Sequence, residues 1–163
     1  MTISVRRVEY EPFPKLNEAF VTEQMRVNWG DLFWAATNKW LTAKSLAGLA
    51  DELAGADDEL RVAISTALDH DEAALQRIFE REAIIDAATE TILRERWMRL
   101  AVAWLYQHRE SLDDPWAVLE QIWEAFGHPE SLNGLIRWMP APPGEEPGES
   151  GMLERWRAYI ASE

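Results

Sequence analysis

The sequence predicts an all-α fold: a single compact multi-helix domain spanning residues 1–163, with about seven or eight helices and an extended N-terminal arm. Three observations predict it. Apolar residues recur at three- and four-residue spacing from Lys15 onward. Capping residues and Gly or Pro stops divide those runs into helix-sized pieces. From Asp57 to Asp114 neither Gly nor Pro interrupts the chain. A chain of 163 residues buries roughly 68–70% of its unfolded surface, enough for a core without covalent staples.

The elements follow in order. Residues 1–14 mix β-branched residues with Arg and end in Pro12-Phe13-Pro14, the pattern of an extended arm. Leu16, Phe20, Val27, Trp29 and Phe33 then recur at helical spacing, with Asn28 and Asp31 as a start signal inside the run. One bent helix or two satisfy it. Thr37-Asn38-Lys39 reads as a break. Thr42 caps a helix with Leu46, Leu49, Ala50 and Leu53 inward and Gly55 as its stop. Asp57 or Asp58 caps the next, which turns Leu60, Ala63, Ile64, Ala67 and Leu68 inward. Asp69 with Glu72 reads as a capping-box variant opening a helix from Ala73 to about Ile85.

The strongest single pattern comes next: Leu93, Trp97, Leu100, Trp104 and His108 step at four, three, four and four. Asp113-Asp114-Pro115 is a cap with Pro at the first helical position. The stretch 115–140 places Trp116, Trp123, Phe126 and Trp138 on the buried side of its pattern. Gly127 stops its helix, Pro129 restarts a short one, and Pro140 closes it. Residues 140–151 form a Pro/Gly/Glu-rich loop before a C-terminal helix carrying Met152, Trp156, Tyr159 and Ile160.

Charge bounds the function. The net charge is −13, and it is concentrated in two blocks, net −7 over residues 45–75 and net −8 over 110–163. Such a field repels nucleic acid and anionic lipid and steers cationic partners. The bland account of the same charge is a solvated, solubility-promoting surface. There is no Cys, hence no thiolate metal site or thiol nucleophile. Met1 to Arg7 lacks the apolar run of a secretory signal, and no stretch approaches a membrane span. A cytoplasmic location with no membrane association is expected.

Candidate chemistry is sparse. His70, His108 and His128 are each followed two residues later by Glu72, Glu110 and Glu130, but on a helix positions i and i+2 diverge and the pairs do not converge on a metal. No His-Glu-x-x-His, nucleophile elbow or phosphate-binding Gly loop is present. No catalytic residue, metal ligand or cofactor site is therefore predicted. His128, in its helix corner, is expected to be a capping or backbone-bonded imidazole rather than a pH-sensitive or partner-contacting group, and His108 a dipole partner or core-edge residue at the end of its helix. Arg94, Arg96 and Arg99, interleaved with Glu90 and Glu95, read as paired surface charge. Trp at helical spacing reads as core, with Trp40 and Trp138, beside turns, the best candidates for partial exposure.

The segments Asn28-Trp29-Gly30-Asp31-Leu32, Lys39-Trp40-Leu41-Thr42, Ala125-Phe126-Gly127-His128-Pro129-Glu130 and Arg137-Trp138-Met139-Pro140, with the Trp97 helix between them, resemble a bacterial family, domain of unknown function 2247. The likeness runs from about residue 28 to 157. The family pattern offers no catalytic residue. Small acidic proteins of this kind are similar to immunity proteins encoded beside polymorphic toxins, so the resemblance implies a toxin-neutralising role. The expected partner is a cognate basic, nuclease-like toxin domain. The expected binding face is Asp51, Glu52, Asp57, Asp58, Glu59, Asp69, Asp71 and Glu72. The alternative is a helical interaction or scaffold module, homodimeric through an exposed Trp face. The sequence leaves the oligomeric state open.

Overall fold

The structure is a computed structural model and describes residues 16–83 and 86–162. The predicted arm at 1–14 and the predicted helix end at Ile85 lie outside the described residues. Among those residues every regular element is helical. They divide into two compact units, one over 16–97 and one over 98–162.

In the first unit the run through Phe33 is two helices, α1 (Glu18–Gln24) and α2 (Trp29–Asn38). The sequence left one or two helices open, and local chemistry decides for two. Asn28 accepts the Asp31 N–H at 2.9 Å while Asp31 accepts the Asn28 N–H at 2.9 Å, a reciprocal capping box that can only open a new helix. Lys39 ends α2 in the left-handed region at φ 59. Helix α3 (Ala43–Ala54) is capped by Thr42 as predicted and ends at Gly55. Asp57, rather than Asp58, caps α4 (Asp58–His70).

The cap of α5 (Glu72–Glu82) is Asp71, whose carboxylate accepts the Ala73 N–H at 3.0 Å. The predicted cap, Asp69, is instead still inside α4. Spacing alone favoured the Asp69–Glu72 pair, but α4 runs to His70 before the chain turns. The core of this unit is a tryptophan cluster. Trp34 stacks on Trp97 at 5.8 Å and tilts against Trp40 at 5.5 Å. Trp40, predicted to be partly exposed, is buried at 1%. The left-handed turn at Lys39 sends the next residue back inward, and the Trp40 carbonyl accepts the Leu16 N–H at 3.1 Å.

Helix α6 (Ala87–His108) carries the predicted Leu93–His108 stripe. It is buried more widely than one stripe implies, since Met98, Ala101, Val102, Ala103 and Leu105 are buried as well as Trp97 and Leu100. The imidazole of His108 stacks on Trp104 at 3.9 Å and bonds the Trp104 carbonyl at 2.8 Å, at the helix end where such a ring was expected.

The second unit adds α7 (Pro115–Ala125), a 3-10 helix over Glu130–Leu135, and α8 (Glu149–Ala161). Asp114 caps α7 through the Ala117 N–H at 3.2 Å, with Pro115 in the first turn. The loop predicted over 140–151 is shorter, because α8 starts at Glu149 after Gly148 at φ 88. Gly151 is thus a helical residue. A Cβ there would drive into the Glu146 carbonyl, so the loop folds back onto the first turn of α8 at the one position that permits it. Arg155 fixes the same fold-back by donating to the Gly134 carbonyl at 2.8 Å and the Glu146 carbonyl at 2.9 Å. Trp156 is fully buried, donates its indole N–H to the Val102 carbonyl at 3.1 Å, and packs against Tyr106 and Trp116.

Candidate interaction surfaces

The acidic residues singled out in the sequence fall at two corners of the first unit. Asp51 and Glu52 close α3, and Asp57, Asp58 and Glu59 open α4, so these five meet at one turn. Arg61 proves their closeness: it grips Asp51 with Nε and Nη2 at 3.0 and 2.8 Å. That grip holds the Asp51 carboxyl below its ordinary pKa. Asp69 and Asp71 lie at the far end of α4, about 18 Å away along a helix of this length. The structure does not bring the two sets together. The side chain of Glu72 lies outside the described residues.

Several of these acids are occupied. Asp57 caps α4 through the Leu60 N–H at 3.1 Å. Asp71 caps α5 and pairs with Arg77 at 3.3 Å. Glu52, Asp58, Glu59 and Asp69 are exposed, with no cationic partner within ion-pair distance among the described residues. An open groove of about 620 Å³ lies between α4 and α5, floored by Ala63, Ala67, Ala74 and Ile78 and rimmed by His70, Asp71, Arg77 and Arg81.

Among the described residues of this unit one ionisable group is fully buried. Asp31 has no exposed surface, and its Oδ2 pairs with Arg96 at 3.1 Å. Burial raises its carboxyl pKa, against the Asn28 N–H, Arg96 and Trp97, which all lower it. Its second oxygen, Oδ1, lies close enough to the Trp97 indole N–H to feel it, but neither group meets the geometry of a hydrogen bond. Arg96 also donates to the Arg26 carbonyl at 2.9 Å. This residue, read from sequence as paired surface charge, is therefore a strut from α6 to the α1–α2 turn. Its partner lies 65 positions away, where no local pattern could show it. The pair ties α6 to the start of α2 and to the turn before it.

The second unit presents an aromatic corner. Helix α7 ends in a Schellman motif: the Gly127 N–H bonds the Glu124 carbonyl at 3.1 Å and the His128 N–H bonds the Trp123 carbonyl at 2.8 Å. Gly127 stops the helix as predicted, at φ 78, but His128 also takes a left-handed conformation, at φ 60. The His128 imidazole, expected to cap or to bond backbone, instead lies on Trp123 at 4.1 Å, and the backbone bond is made by its main-chain N–H. Trp138 meets the same Trp123 indole edge-on at 5.3 Å and is 63% exposed. The buried side assigned to Trp138 is thus corrected, and its exposure beside a turn is as expected. Arg137 is held by Asp114 at 3.2 Å and Glu120 at 3.3 Å.

Among the described residues no three His, Asp or Glu side chains gather where they could hold a metal ion. No described helix is long and apolar enough to cross a membrane.

The profile of the bacterial family described as an uncharacterized protein conserved in bacteria, domain of unknown function 2247, matches residues 17–163. The chain belongs to that family. No curated protein and no solved structure matches it.

Proposed function

We propose that this member of the domain of unknown function 2247 family acts by binding, as a non-catalytic immunity protein that neutralises a basic, nuclease-like bacterial toxin domain in the cytoplasm. The observation that carries the reading is the α3–α4 corner. Glu52, Asp58 and Glu59 stand exposed there, while the nearby cation, Arg61, is already spent on Asp51. A cluster of uncompensated carboxylates on rigid helix ends raises the encounter rate of a cationic protein and repels nucleic acid. The partner's own basic surface, shaped for an anionic polymer, would be covered by the acids.

The test replaces Glu52, Asp58, Glu59 and Asp69 with Lys together and measures association with the basic partner recovered by co-purification. These four hold no cap or ion pair, so the fold is expected to survive. The association rate at low salt should fall on the order of tenfold or more, and the difference should shrink at high salt. An unchanged rate removes the reading.

Exposed Trp138 favours a second reading, a homodimeric interaction module. Sedimentation separates the two: a stable dimer that buries Trp138 supports the module, and a monomer does not.

A further inference from the structure

The corner made by the end of α7, the Gly127–Pro129 turn and Trp138 departs from ordinary protein surface in three ways. Trp138 leaves 63% of its area open although a tryptophan normally contributes by burial. His128 holds φ 60 directly before a proline, where its own Cβ and the Pro129 ring both disfavour that conformation. Held so, its imidazole lies on Trp123, the ring that Trp138 also meets. Backbone strain retained at an exposed aromatic cluster is a mark of recognition sites.

Charge says what the cluster takes. Arg137, the cation next to Trp138 in the chain, is already neutralised by Asp114 and Glu120. Glu124 lies one helical turn beyond Glu120 and directly after Trp123, and Glu130 lies two residues past His128. Both are exposed, with no cationic partner within ion-pair distance among the described residues. An exposed aromatic face on a stretch of chain that carries uncompensated carboxylates attracts cations by ring quadrupole and by charge, and repels phosphate-bearing polymers. An apolar segment would have to desolvate those carboxylates without return.

We infer that this corner docks an arginine- or lysine-bearing segment of a protein partner, its cation over Trp138 with Glu124 and Glu130 as counter-charges. The inference rests on the cationic-partner reading above and adds a second surface to it, remote in sequence from the α3–α4 corner.

The probe is the peptide acetyl-Gly-Arg-Gly-Arg-Gly-Arg-amide, compared with the same peptide carrying neutral citrulline at each Arg. Titration into the ¹⁵N-labelled chain should move the Trp138 indole N–H and the His128 amide saturably, and the citrulline peptide should bind at least about fivefold more weakly. Trp138→Leu, which keeps an apolar surface, should weaken the Arg peptide about fivefold, and Trp138→Phe, which keeps a π face, about twofold or less. Unchanged signals from the seven indoles other than Trp138 and its neighbour Trp123 confirm the variants' fold. Equal affinity for the two peptides, or a self-associated chain with Trp138 covered, overturns the inference. So does a response confined to the α3–α4 corner, which leaves the proposed function standing. Silence at both surfaces removes both.

Discussion

Asp31→Asn and Asp31→Ala separate what the buried carboxylate contributes as a cap from what it contributes as a charge. In the native chain Oδ2 accepts the Asn28 N–H and pairs with Arg96, while Oδ1 is buried without a bond. Removing one partner of a buried ion pair costs about 3–5 kcal/mol. Arg96 keeps 30% of its side chain exposed and retains the Arg26 carbonyl, so Asp31→Ala belongs near the low end, about 3 kcal/mol. Asparagine keeps an acceptor for Asn28 and removes the need to desolvate a charge. Its amide N–H would face the unbonded Trp97 N–H, for a net loss of about 1 kcal/mol.

The pH dependence sharpens the comparison. The folded pKa of Asp31 is raised from 3.8, chiefly by burial. The proton-linked part of its contribution is therefore fully present below 3.8 and is lost as pH rises through the raised folded value. Relative to Asp31→Asn, the native chain should gain stability as pH falls toward that window. Urea unfolding at neutral and at acid pH, with matched m-values, measures both effects. If the Asn variant loses as much as the Ala variant at neutral pH, the charge itself stabilises the fold and the desolvation argument is refuted.

Gly151→Ala should destabilise by about 1–3 kcal/mol in thermal or urea unfolding, because the new methyl group meets the Glu146 carbonyl. Helix propensity alone predicts the opposite sign, a gain of about 1 kcal/mol. His128→Ala should be less stable than His128→Gly by about 1 kcal/mol, since both lose the ring on Trp123 but only glycine relieves the left-handed backbone. The Asp51–Arg61 grip should read out in a carboxyl titration by NMR. Asp51 should titrate below 3.8, and Arg61→Ala should return it toward that value. Whatever the pair adds to stability is present above 3.8 and lost as pH falls through the depressed folded value.

What the sequence disclosed was what neighbours in the chain decide. Thr42, Asp114-Pro115 and Gly127 mark helix ends through bonds that reach only three to five residues, and each sits where it was read. Asp69 failed as a cap because Asp71, two residues on, makes the same local signal and α4 outlasts the first. The start of α8 was hidden because Gly151, a loop residue by composition, is required by a carbonyl that folds back from Glu146. The Asp31–Arg96 strut needed tertiary knowledge, and so did the division of the acids between the two ends of α4. Trp40 shows the limit in small: its place after a turn was visible, and the direction in which Lys39 turns it was not.

The closeness of Gly151 to Glu146 also bears on how variation among relatives should be interpreted. A position that rejects every side chain for want of room would stay constant in any collection of related chains, whatever they bind. Trp138 faces open solvent and answers to no such demand, so constancy there would speak of an encounter. The two positions, compared side by side, offer an internal yardstick for telling a residue kept by its own architecture from one kept by a visitor.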